Sequence, residues 1–311
     1  MRTAFIRALE EAAANDSRVM LIVGDLGFGV VDQFAQKFPN QFVNAGVAEQ
    51  NMTGMAAGMA LSGAVVFTYS IANFPTLRCL EQIRNDVCYH KANVKVVAVG
   101  GGFVYGSLGM THHATEDLAI MRALPNMTVI APGDPVEAAE ATRAVILWPG
   151  PCYLRLGRAG EPTVHQSEIE FTIGKSIRLS DGEDLTLIST GGLLQTAVAV
   201  AANLLEQGLT TRVISMHTVK LLDHEAVLSA ARDTKAMATL EEHSTLGGLG
   251  GAVAEVLAEY SDRKSPFTRI GVESGFAPKA GSQEYLRSMF GLSTEAVTER
   301  MLKLFGATNS R

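Results

Sequence analysis

Three small groups of residues in this chain have the types and spacing to do chemistry. The first is Glu49, in the stretch Phe42 to Gly58, FVNAGVAEQNMTGMAAG. A brief apolar run there leads into a turn at Asn44-Ala45-Gly46. Small and apolar residues then follow at helical spacing, with Val47, Met52, Met55, Ala56 and Met59 among them. No basic residue flanks the one carboxylate in this stretch. Burying it ionised is costly, so it should favour its protonated form or a partner must hold its proton. The plainer alternative is a solvated Glu in a first helical turn, favoured by the helix dipole. The second group is the loop Gly109-Met110-Thr111-His112-His113, set between a strand and a helix. Loops beyond strand ends form the ligand crevice of open α/β sheets, and a His there can donate to an oxyanion or shuttle a proton; otherwise the two are a surface pair. The third is Phe74 in Ile71-Ala72-Asn73-Phe74-Pro75, either a core plug or a platform for a flat heteroaromatic ring. Arg78 and Arg158 sit at loop or helix-start positions suited to phosphate or carboxylate recognition, with solvated charge as the commoner fate.

The elements that must position these residues alternate along the chain. Val19 to Val23, Val65 to Tyr69, Val94 to Val99, Met127 to Ile130 and Cys152 to Leu156 read as buried strands. Between them Arg2 to Ala14, Asp32 to Lys37, Thr76 to Tyr89, Thr115 to Ala123 and a segment opening on Pro135 read as helices. From Gly160 to Asp184 the pattern lapses into polar residues, Pro162 and a hairpin signal. It resumes with strands at Leu185 to Ser189, Thr211 to Met216, Ala236 to Leu240 and Thr268 to Val272. The helices of this half fall at Leu193 to Gln207, Asp223 to Ala231, after Gly247-Gly248-Leu249-Gly250-Gly251, and at Thr294 to Phe305. Strands apolar on both faces predict an α/β fold of two domains, each a mainly parallel sheet flanked by helices, with the boundary near residue 170.

Composition narrows the function classes. A chain of 311 residues with 47% hydrophobic and 19% charged residues is ordinary for a globular α/β protein. A formal charge of −6 and the lack of a basic cluster argue against nucleic acid. Cys79, Cys88 and Cys152 have neither CxxC nor zinc-ligand spacing and read as reduced, packed thiols. The first sixteen residues read as an amphipathic helix rather than a signal peptide, and no apolar run is long enough to span a bilayer, so the expectation is a cytoplasmic protein. Gly100-Gly101-Gly102 follows a strand, but the glycine at 106 falls one position late for GxGxxG. Gly174-Lys175-Ser176 lacks the first P-loop glycine, since Ile169 stands there. Glu241-Glu242-His243 is an adjacent run, and adjacent residues do not share a helix face. No metal site is expected from this chain.

The set of motifs resembles the C-terminal half of transketolase, and more closely the separate C-terminal subunit of a split transketolase. The carriers are GVAEQNMTGMAAGMALSG (Gly46 to Gly63), LEQIRNDV (Leu80 to Val87) and GMTHHATEDLAIMRALPNMTVIAPGD (Gly109 to Asp134). LTLISTGGLLQTA and LEEHSTLGGLGGAV extend the likeness into the second half, so it covers essentially the whole chain. The resemblance implies a pyrimidine-binding domain over 1–165, a linker over 166–184 and a transketolase C-terminal domain over 185–311. It implies thiamine diphosphate as cofactor, with Glu49 as the acid that bonds the aminopyrimidine and Phe74 as the ring stacked on it, Tyr69 being the fallback. His112, with His113 beside it, matches a histidine that faces substrate oxygens. Arg158 resembles an arginine near a sugar phosphate, and Arg78 a substrate-binding arginine of the deoxyxylulose-phosphate synthase branch.

Departures from the family pattern carry their own expectations. No Gly-Asp-Gly element occurs in the chain, so the Mg²⁺ and diphosphate ligands are expected on an N-terminal-type partner subunit. The expected assembly is α₂β₂, with contact between C-terminal-type subunits. Leu108 and Gly100 replace an Asp and a His that contact donor hydroxyls in transketolases. An apolar residue where a hydroxyl was bonded penalises an ordinary ketose and favours a deoxy, branched or otherwise unusual sugar. The expected activity is transfer of a two-carbon ketol unit from a ketose to an aldehyde. The alternative is the β subunit of a 2-oxo acid dehydrogenase or an acyloin-forming relative.

Overall fold

Apolar, β-branched runs become strands covered on both faces, and the amphipathic segments between them lie on those faces as helices. The computed structural model describes residues 1–259, 265–273 and 275–307. In the first half, β1 (Val19–Val23), β2 (Phe42–Asn44), β3 (Val65–Ile71), β4 (Val94–Val99), β5 (Thr128–Ile130) and β6 (Cys152–Leu156) run parallel in the order β5-β6-β4-β3-β1-β2. The second half supplies β7 (Ile177–Ser180), β8 (Leu185–Ser189), β9 (Thr211–Ser215), β10 (Thr218–Lys220), β11 (Ala236–Ser244) and β12 (Phe267–Val272). Their sheet has the order β12-β11-β8-β9-β7, parallel except for β7.

The helices are α1 (Arg2–Asn15), α2 (Asp32–Lys37), α3 (Glu49–Leu61), α4 (Asn73–Thr76), α5 (Leu80–Gln82), α6 (Asp117–Ala123), α7 (Pro135–Leu147), α8 (Leu194–Leu205), α9 (His224–Asp233), α10 (Leu249–Glu259), α11 (Gln283–Met289) and α12 (Thr294–Gly306). Phe5 and Leu9 of α1 and Ala141 and Val145 of α7 pack on one face of the first sheet, against Leu21, Val23 and Phe67. The other face carries Met52 and Ala56 of α3, Ile83, Val87 and Leu118. This cluster continues without a break into Ile188, Met216, Val227, Leu249 and Val253 of the second half. The two sheets therefore share an apolar core rather than hanging from a tether.

Four local features differ from the sequence reading. β10, which the sequence pattern does not announce, crosses back and pairs antiparallel with β5, so the short edge strand β5 is covered. The expected linker 166–184 contributes β7 to the second sheet, and hydrogen bonds fasten it and the two residues just before it. The Val164 and His165 amides donate to Asp134 Oδ2 at 2.8 and 2.9 Å, and Ser176 N donates to Asp223 at 2.9 Å. Helix α11 is an addition that the pattern does not foreshadow. The expected helix Thr76 to Tyr89 is broken: α4 ends, residues 77–79 form a turn, and after α5 the backbone widens into a π-helical segment at Ile83–Cys88. Apolar spacing alone cannot register such a break, because Leu77, Leu80, Ile83 and Val87 still repeat at helical intervals. π-Helical turns often mark functional sites, and this one follows closely on Arg78.

Candidate active site

Glu49 opens α3 just beyond the C-terminal end of β2. The turn before it is fixed by Asn44, whose side-chain carbonyl oxygen accepts from the Asp25 and Gly46 amides at 3.0 Å, while Gly46 has φ +73°. The Glu49 side chain is 2% exposed, and Gly24 lies close enough that a Cβ there would sit 3.4 Å from Glu49 Cγ. Sequence offered no neighbouring base, but the fold brings one from 29 residues away. Arg78 Nη1 donates to Glu49 Oε2 at 2.8 Å. Arg78 stands on the 77–79 turn, and its guanidinium carbon lies 4.8 Å from the centre of the half-buried Phe74 ring.

His112 meets the same ring from the side, at a centroid distance of 5.3 Å and an interplanar angle of 68°. Asn73 ties the histidine loop to this corner by donating to the carbonyls of Thr111 and His113. Glu49, Arg78, Phe74 and His112 thus form a continuous string drawn from α3, the 77–79 turn, α4 and the histidine loop. His113 turns the other way. It is buried against the edge of Phe103, with Nε2 3.2 Å from the Gly106 carbonyl oxygen, and supports the loop from beneath. Leu108 and Met110, by contrast, are among the exposed large apolar side chains.

Of the two aromatic candidates, Tyr69 lies elsewhere. It projects from β3 to the α1 face of the sheet, opposite α3, and stacks on Phe5 at 6.0 Å; burial raises its phenol well above the usual range. Arg158 also stands apart from the string. It lines a cleft of about 190 Å³ between the two halves, together with Gly101, Arg155, Glu242 and Arg287.

The glycine run explains itself at this cleft. A Cβ at Gly100 (φ +96°) would lie 2.3 Å from the Tyr105 ring, one at Gly101 would lie 2.5 Å from Arg155 Nε, and one at Gly102 would lie 2.6 Å from Glu242 Cγ. The run admits three side chains rather than a nucleotide.

The sequence reading missed the buried polar groups on either side of the contact between the halves, which Arg155 Nη2 crosses by donating to the Glu242 carbonyl at 3.0 Å. Arg155 Nε donates to Asp117 Oδ2 at 2.8 Å, Tyr153 donates to the same oxygen at 2.6 Å, and all three are buried. Glu242 accepts from Phe103 N at 2.8 Å, from Gln283, and from Arg287 through both Nε and Nη2. Glu241 accepts from the Leu249 and Gly250 amides at the start of α10, both at 2.7 Å. Burial pushes Glu241 up to about 7 against those donors and pushes His243 down to about 4. The signal was present but read with the wrong period. On a strand, residues two apart share a face, so Glu241 and His243 fall together and Glu242 points oppositely.

With this geometry in view, the chain matches the transketolase pyrimidine-binding domain over residues 1–161 and the transketolase C-terminal domain over residues 174–297. The chain belongs to the transketolase family. It is 36% identical to one of the subunits of the apulose-4-phosphate transketolase of Phocaeicola vulgatus, over 97% of this chain and 96% of that one. It is 37% identical to the 6-deoxy-6-sulfo-D-fructose transketolase subunit of a Clostridium species, over 96% of this chain and 92% of the relative. A solved split gene transketolase, an inactive β4 tetramer, superposes with a TM-score of 0.88 at 37% identity, covering 98% of this chain and 97% of that one. These relatives are transketolases, which does not favour the 2-oxo acid dehydrogenase alternative.

The residues present fit one half of thiamine diphosphate. A buried acid linked through Arg78 to a half-buried aromatic ring suits a flat, nitrogen-bearing heterocycle. The Gly-Asp-Gly element expected to hold the diphosphate is not in the sequence.

Proposed function

We propose that this chain supplies the pyrimidine side of a thiamine diphosphate site in a two-subunit transketolase-type transferase. An N-terminal-type subunit carrying Gly-Asp-Gly would complete the site and hold Mg²⁺, in an α₂β₂ assembly with contact between C-terminal-type subunits. The observation that carries this reading is Glu49, almost wholly buried and linked through Arg78 to Phe74, in a chain that has no diphosphate motif. Exposed apolar side chains at the same end of the sheet, Phe28 after β1 and Val47 after β2, support an uncovered partner surface.

When bound, the cofactor supplies the electron sink that lets a ketose carbon–carbon bond break. Glu49 would bond the pyrimidine nitrogen and keep a proton in place there. Phe74 would support the ring. His112 would donate to substrate oxygens, and Arg158 would receive an anionic substrate end in the interdomain cleft. His113 would hold the loop that presents His112. Among the described residues no helix is long and apolar enough to cross a membrane. The three cysteines are free and buried, in keeping with the reducing cytoplasm where we place the enzyme.

The substrate side is apolar where transketolases bond hydroxyls. Leu108 is exposed on the loop, and the Tyr105 ring fills the space a side chain at Gly100 would take. We therefore place the donor among deoxy, branched or otherwise modified ketoses, in keeping with relatives named for apulose-4-phosphate and 6-deoxy-6-sulfo-D-fructose. The test uses the chain reconstituted with an N-terminal-type subunit, thiamine diphosphate and Mg²⁺. Ketol transfer to an aldehyde, faster from a modified ketose than from an unmodified ketose phosphate, is the expected result. Decarboxylation of a 2-oxo acid without ketol transfer would overturn it.

A further inference from the structure

Two groups stand ready for a flat heterocycle in the proposed site, the Glu49 carboxylate and the Phe74 ring. One side chain of this chain already engages both. The Arg78 guanidinium is flat, donates from its edge to Glu49 Oε2 at 2.8 Å, and lies with its central carbon 4.8 Å from the Phe74 centroid. An aminopyrimidine makes the same two demands, hydrogen bonding at its edge and an aromatic surface for its face. Two planar groups cannot lie on one face of the same ring at once. The geometry points to Arg78 as a built-in occupant of the pyrimidine seat, which holds Glu49 in the cofactor-free chain and must leave when the cofactor enters. This inference rests on the reading that Glu49 and Phe74 receive the pyrimidine.

Position and burial give the device its reason and its means. Glu49 is 2% exposed, and a carboxylate so placed without a counter-charge is strongly unfavourable. Arg78 supplies that charge before the partner and cofactor arrive. Its own side chain is 47% exposed and stands on the irregular turn between α4 and α5, so the guanidinium can swing into water without breaking a helix. The arrangement predicts competition. The apparent cofactor affinity is the intrinsic affinity multiplied by the fraction of time the seat is empty.

The experiment is a calorimetric titration of thiamine diphosphate, with Mg²⁺, into wild type and Arg78→Ala, each reconstituted with an N-terminal-type subunit. The variant is expected to bind roughly fivefold to twentyfold more tightly, the factor that follows if Arg78 occupies the seat about 80–95% of the time. If Arg78→Ala does not assemble, Arg78→Lys decides. An ammonium keeps the charge beside Glu49 but has no flat face for Phe74, so binding tighter than wild type supports the occupant role. Affinity that is unchanged or weaker in the assembled variant makes Arg78 a structural or cofactor-binding residue and overturns the inference. A reconstituted wild type that binds no thiamine diphosphate overturns the functional reading beneath it, so the two failures are distinct.

Discussion

Glu49 is a carboxylate withdrawn from water at the end of a short turn, with a half-exposed cation as its visible partner. Its helix could be read from sequence, because small residues at helical spacing around a lone acid are unusual enough to notice. Its ion pair could not. Arg78 comes from a turn that interrupts an otherwise helical apolar repeat, and only the tertiary contacts of the fold set that turn. If Glu49 keeps a proton in place at the pyrimidine, Glu49→Gln in the reconstituted enzyme slows hydrogen exchange at C2 of bound thiamine diphosphate by roughly a hundredfold or more, as expected for loss of a positioned acid. NMR-detected exchange at a near-normal rate would reject that role. The Arg155–Asp117 pair is a second residue-scale test. Its members are 4% and 0% exposed, so Arg155→Met strands a buried carboxylate and is expected to cost about 3–5 kcal/mol in urea unfolding.

Among the elements, alternation fixed nearly every long strand and helix, since strands covered on both faces leave uninterrupted apolar runs that loops do not imitate. What stayed hidden was short or non-local. β10 spans Thr218–Lys220 and belongs to the sheet of the other domain, and β7 hides in a polar stretch whose pairing depends on β9. The Gly100–Gly102 run shows how a motif can be read correctly as non-nucleotide and still lack its explanation. Each glycine there receives a side chain from elsewhere in the fold. Gly100→Ala must adopt φ +96° and would place its Cβ 2.3 Å from Tyr105, so backbone strain and overpacking together are expected to cost about 2–4 kcal/mol. Adding Tyr105→Ala should recover the packing part and leave the backbone part. Additive losses in that double-mutant cycle would show that the two residues do not share the space.

At the scale of the whole molecule, the two sheets share one apolar core and a buried polar seam. The seam makes stability depend on pH. His243 Nδ1 donates to the Ser244 carbonyl and its Nε2 accepts from Ala119 N, so the ring is held neutral; burial first of all lowers it to about 4. His217, stacked on Phe171 at 3.9 Å, is likewise lowered to about 4 by burial. Between about 6.5, the ordinary histidine value, and about 4 the unfolded chain binds these protons and the folded one does not. These two groups make stability fall as the pH drops through that window, while Glu241, raised to about 7 by burial, opposes them in its upper part. The test is therefore the difference between wild type and His217→Asn, whose urea midpoint should lose less on acidification. A pH profile of the midpoint that His217→Asn leaves unchanged would contradict the neutral assignment of His217.

The same scale holds the central claim, that this chain carries half of a cofactor site. Calorimetric titration of thiamine diphosphate with Mg²⁺, first into this chain alone and then into its complex with an N-terminal-type subunit bearing Gly-Asp-Gly, tests it most directly. Weak or undetectable binding by the chain alone and tight, Mg²⁺-dependent binding by the complex is the predicted result. Tight Mg²⁺-dependent binding by this chain without the partner would contradict it.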